Sequence, residues 1–152
     1  YFVPAFTGLG APYWNPDIRG ALFGLTRGTT SAHITRAALE AQAYQTADLM
    51  GAMIADSGVT PSVLRVDGGL VQNNLMTQFL SDMLGMVVDI PKSFETTALG
   101  AAYLAGIGVG VFTGLDDVAG KWVKRKSYNP TISADKRDAY YKGWTNFVGR
   151  LL

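Results

Sequence analysis

A chain of 152 residues, 48% of them apolar, holds enough hydrophobic material for one core and one domain. Thirteen basic side chains against twelve acidic leave a net charge of +1, which argues against a nucleic-acid footprint or a polybasic membrane contact. The absence of cysteine excludes disulfides and thiolate metal sites, and a single histidine, His33, excludes most zinc sites.

The chain opens at Tyr1 on "YFVPAF", an apolar strand-like run with no leader pattern before it, and no uncharged run approaches the roughly eighteen residues of a membrane span. The expectation is a cytoplasmic polypeptide excised from something longer. "YFVPAF" and "GALFGL" are the first two strand candidates. The glycines, prolines and asparagine of "TGLGAPYWNPDIR" predict a wide loop joining them as antiparallel partners. "GLGAPY" resembles the start of a dinucleotide fingerprint, but Tyr13 stands where its third glycine belongs and no helix opens there, so it reads as a turn.

A long helix is predicted next, capped by Thr30 or Ser31, ended by Gly58, with Ile34, Ala38, Ala41, Leu49 and Met53 near one face. His33 lies in its first turn without a second ligand nearby and reads as a capping or partly exposed side chain. "SVLRV" predicts a strand, and "LVQNNLMTQFLSDML" a helix on which Val71, Leu75 and Phe79 recur. "MVVDIP" predicts another strand, and "TTALGAAYLAGIGVG" a small-residue helix able to lie close to a sheet. Strand, helix, strand, helix is the order of a parallel sheet with right-handed crossovers, hence an α/β fold.

Between Gly110 and Ser133 the chain reads as loop or weak strand, and the basic cluster "KWVKRK", Lys121 to Lys126, as a solvated edge strand or loop. "GKW" at Gly120 lacks the remainder of a Walker phosphate loop. The closing "SADKRDAYYKGWTNFVGRLL" predicts a docking helix with Tyr140, Trp144, Phe147, Val148 and Leu151 on one stripe.

Chemistry concentrates at "RVDGGLVQNN", Arg65 to Asn74. Ligand crevices of open α/β sheets lie beyond the carboxyl ends of strands, where Gly68 and Gly69 fall. Two glycines bare the backbone and permit positive φ. Helix N–H groups beyond them suit phosphate, and Asn73 offers both a donor and an acceptor. The same spacing also fits a plain strand-to-helix turn with Asp67 as the helix cap.

"VDGG", "NN" four residues on, and "ETTALGAAYLAG" together resemble the C-terminal region of the FGGY carbohydrate kinases. "FTGLGAPYWNPDIRGALFGLTRGTT", "HITRAALEAQAYQTADLM" and "YYKGW" extend the resemblance over the whole chain, with "GAPYW" and "DGG.V.NN" pointing to the glycerol-phosphorylating branch. The resemblance implies a partial RNase H-like domain of the actin and Hsp70-like ATPase fold, a mixed sheet flanked by helices, in one truncated C-terminal unit over residues 1–152. It implies ATP and Mg²⁺ as cofactors, and glycerol held by an N-terminal domain outside this sequence, along with the catalytic residues. It further implies a homo-oligomer, to which an unpaired sheet edge would contribute. On residues matched to the family pattern, Gly69 and Asn73 contact the nucleotide. Asp67 and Gly68 form the same turn, and Asp67 orders it or holds hydrated metal. Thr96 and Thr97 are assigned to capping the following helix, and the chain alone is expected to be inactive.

Overall fold

The computed structural model describes Tyr1–Leu152. Two short strands, β1 (Phe2–Val3) and β2 (Ala21–Leu22), pair antiparallel, Phe2 opposite Leu22, across the wide loop that the glycine and proline pattern predicts. Helix α1 (Ser31–Ser57) follows, built largely from strong helix formers. At its start the Thr30 N–H donates to His33 Nδ1 at 3.1 Å, so His33 serves the cap. At its end Gly58 takes φ +69° and its N–H donates to the Ile54 carbonyl.

Strands β3 (Val63–Arg65) and β4 (Val87–Pro91) are parallel, Leu64 opposite Val88, and β5 (Lys124–Tyr128) pairs antiparallel on the far side of β4. The sheet is therefore mixed, with β3 and β5 at its edges. Between β3 and β4 run a single 3₁₀ turn (Gly69–Gln72) and α2 (Asn74–Leu84). After β4 come α3 (Thr96–Gly108) and α4 (Leu115–Ala119), and α5 (Ala134–Val148) closes the chain.

Side chains alternate across a strand. Leu64, Val66, Val88 and Ile90 accordingly face the core made with α1, α2 and α5, whereas Arg65 faces the opposite side of the sheet, toward α3. The core is aromatic at its centre. Trp144, fully buried, stacks on Tyr44 at 5.2 Å, and Phe79 meets Tyr44 edge-on. Asp48 is buried beside them and accepts from Tyr141 Oη at 2.6 Å and Trp144 Nε1 at 2.8 Å.

Four expectations require correction. The face of α1 turned to the core is Ala41, Tyr44 and Asp48, with Ala43 and Met50 also buried, while Ile34, Leu49 and Met53 are exposed. Close helix packing selected small residues and one satisfied carboxylate there, a choice that counting apolar residues does not register. The helix after the glycine pair begins at Asn74, because Asn73 is extended (φ −78°, ψ 106°); Val71 is buried from the 3₁₀ turn and Leu75 is exposed. Helix α3 buries no residue and stands away from the sheet instead of lying close to it. The Gly110–Ser133 segment contains α4 and a well-formed β5; "KWVKRK" does lie at an edge strand.

A candidate nucleotide-facing turn

The turn after β3 is built from four residues with distinct tasks. Asp67 is exposed, and its Oδ2 accepts a hydrogen bond from the Thr96 hydroxyl on the first turn of α3. Gly68 adopts φ +89°, ψ 178°, a backbone that L side chains rarely take. Gly69 opens the 3₁₀ turn without positive φ, and a Cβ built on it meets nothing within 4 Å. Asn73 is the N-cap of α2: its Oδ1 accepts from the backbone N–H groups of Leu75 and Met76, both at 3.1 Å.

Of the sequence candidates, then, Gly68 answers to backbone geometry and Asn73 to helix capping. Gly69 answers to neither. The cap leaves the Asn73 Nδ2 donors uncommitted to any protein acceptor. Asp67 does not cap α2, and Thr96 does not cap α3; residue Glu95 occupies that N-cap without a side-chain bond. The 29-residue separation of Asp67 and Thr96 hides their meeting from any local reading. The cap at Asn73 was open to such a reading, because an Asn directly before a helical run is a start signal.

Beyond Thr96 the surface opens into a cleft of about 710 Å³ between α3, α4 and the sheet, lined by Arg65, Lys92, Lys121, Tyr103 and Trp122. The Arg65 guanidinium lies 4.1 Å over the Trp122 ring, and Lys121 pairs with Asp117 at 3.3 Å. No carboxylate lines the cleft. No group of three His, Asp or Glu side chains is placed to hold a metal ion.

A parallel strand pair with a helical connection makes the chain an α/β protein, and its bared backbone turn falls at the carboxyl end of a strand, where open α/β sheets form their ligand crevices. The family model described as "FGGY family of carbohydrate kinases, C-terminal domain" matches residues 1–109; the chain belongs to the FGGY family of carbohydrate kinases. The chain is 54% identical over 151 residues to a glycerol kinase of Rhodospirillum rubrum and 55% identical over 152 residues to one of Nitrosomonas eutropha. These matches cover 99% and 100% of this chain and 30% of each relative. The crystal structure of Plasmodium falciparum glycerol kinase with ADP superposes with a TM-score of 0.86 at 37% identity, over 99% of this chain and 30% of that one. A xylulose kinase from Rhodospirillum rubrum gives 0.76 at 26% identity, over 99% of this chain and 30% of that chain. The chain thus spans about 30% of the length of the relatives it matches, and its mixed sheet flanked by helices is the actin and Hsp70-like fold of the FGGY kinases.

Proposed function

We propose that residues 1–152 form a C-terminal nucleotide-binding unit of a kinase that transfers the γ-phosphoryl group of ATP to glycerol, giving glycerol 3-phosphate and ADP. The observation that carries this reading is Gly69, a glycine that neither backbone conformation nor packing requires, beside free N–H and amide donors at the end of a parallel strand. A missing side chain there leaves room for a ligand to approach the main chain. The likeness to a glycerol kinase with ADP supports the choice of nucleotide, and the identity to glycerol kinases supports the acceptor. A pentulose as acceptor is the second reading, with weaker support from the 26% identity to a xylulose kinase.

Asp67, Gly68, Gly69 and Asn73 make up the nucleotide side of the site in this proposal. Mg²⁺ keeps most of its ligands as water and phosphate oxygens and needs only one or two carboxylates. The residues present fit a metal carried on the nucleotide, with Asp67 the carboxylate at the turn; they do not fit a metal held by the protein alone. Catalytic residues and glycerol contacts belong to polypeptide outside this chain. A cytoplasmic setting, with no helix long and apolar enough to cross a membrane, and assembly with further copies belong to the same proposal. The free edge of β3 and the exposed Leu104 and Val109 support the assembly.

Asn73→Asp tests the site. Aspartate is as good an N-cap as asparagine, so α2 should keep its stability. The variant loses the Nδ2 donors and places a negative charge beside the phosphates. Calorimetry should find ADP affinity lowered about tenfold, equivalent to about 1.4 kcal/mol, with the unfolding midpoint unchanged; parent-like affinity would remove Asn73 from the site. A coupled assay on the chain alone should detect no phosphorylation of glycerol, and turnover would show that the chemistry lies within these residues.

A further inference from the structure

We propose that Asp67 and Thr96 act as a positioning pair, in which the first turn of α3 holds the Gly68–Gly69 turn in its ligand-receiving conformation. The inference rests on the reading of that turn as a nucleotide site. The pair joins segments 29 residues apart: the Thr96 Oγ1 donates to Asp67 Oδ2, directly before the one residue of the turn with positive φ. Asp67 has no cationic partner, so the hydroxyl is its only bonded side-chain contact.

The electrostatics favour the same arrangement. Helix α3 has no side-chain N-cap and no acidic residue in its first turn. Its N-terminus carries positive partial charge, and Asp67 adds a hydrogen-bonded carboxylate there, which the N-cap Glu95, without a side-chain cap bond, does not provide. A hydrogen bond to an ionised carboxylate is stronger than a neutral one. With the carboxylate drawn to α3, the Gly68 and Gly69 backbone remains bare on its outer side. Helix α3 buries none of its residues, so this bond is one of the few direct ties between it and the strand-end turn.

Thr96→Val removes the hydroxyl at nearly constant volume, Thr96→Ser keeps it, and Asp67→Ala removes the acceptor. In the ligand-free chain, amide exchange at Val66 and Asn73, whose N–H groups donate to the Asp89 and Leu70 carbonyls on either side of the glycines, should accelerate about fivefold or more in Thr96→Val and in Asp67→Ala, and return toward the parent rate in Thr96→Ser. The double variant should be no worse than either single one, because both remove the same bond. Circular dichroism identifies any variant that fails to fold, and Thr96→Ser against the parent then carries the comparison. Parent-like exchange in both single variants, or effects that multiply in the double variant, would overturn the pairing. ADP titration separates this inference from the one beneath it. Affinity lowered by Gly69→Val but unaffected by Thr96→Val would refute the positioning role alone, whereas affinity indifferent to Gly69→Val would refute the nucleotide site.

Discussion

Gly69→Val is expected to lower ADP affinity by at least about tenfold while moving the thermal midpoint by no more than about 2 °C. The two halves of this expectation come from one local fact. Gly69 lies outside the positive-φ region and an added Cβ meets no atom within 4 Å, so the fold neither strains nor clashes. Replacing glycine where the backbone permits it can even stabilise, by about 0.4–1 kcal/mol, because the unfolded chain has less freedom to lose. The branched side chain would instead fill the space in front of the turn, where a phosphate or sugar must approach the N–H groups. Gly68→Val is the informative contrast. With φ +89° it should lose stability as well as affinity, which identifies Gly68 as a conformational glycine and Gly69 as a ligand-facing one. Calorimetry with ADP, paired with thermal unfolding, reads both; parent-like affinity in Gly69→Val would refute the proposed site.

Asp48→Ala is expected to destabilise the chain by about 2–6 kcal/mol, since two donors lose their acceptor and each buried unsatisfied group costs about 1–3 kcal/mol. The Trp144 Nε1–H and the Tyr141 hydroxyl both point at Asp48, and Trp144 is fully buried. Asp48→Asn keeps an acceptor and should cost much less. The pH dependence distinguishes the two effects of the carboxylate. Burial pushes the Asp48 carboxyl above its ordinary value, and the hydrogen bonds from Tyr141 and Trp144 oppose the shift without cancelling it. A carboxyl raised in the folded state contributes stability that is fully present below its unfolded pKa and is lost as pH rises through the folded value. The parent should therefore lose stability relative to Asp48→Asn as pH climbs through and somewhat above the ordinary carboxylate range, and then run parallel to it. Urea unfolding from acid to neutral pH measures this; a gap that widens in the opposite direction would show that the hydrogen bonds outweigh burial.

Local chemistry was legible from sequence wherever the determinant is local. Gly58 ends α1 in the left-handed conformation, the strand-helix-strand order yields the parallel β3–β4 pair, and the stripe through Trp144 and Val148 docks as expected. What escaped depends on partners distant in the chain. The buried face of α1 is decided by its packing on α2 together with the aromatic groups of α5, and Leu49 and Met53, apolar but on the other side, stay exposed. The exposure of α3 could not be read from "ALGAAYLAG", since small apolar residues state only that close packing is possible. In the site, Gly68 was readable as a turn glycine, whereas the Asp67–Thr96 bond is a product of tertiary structure alone.

The uncovered helix α3 divides the molecule into parts of unequal firmness. Around Tyr44 and Trp144 the chain can open only by breaking the whole core, whereas α3 and α4 bury no residue at all. In residues 1–152 taken alone, excursions of these two helices away from the sheet are expected to cost a small fraction of global unfolding. The glycine turn lies on the seam, one shoulder formed by β3 and α2, the other reaching α3 through Thr96. Any molecule that grips the turn only when both shoulders are in register gives up part of its intrinsic affinity to immobilise the loose one. A brace laid across α3 would return that share without touching the molecule it favours.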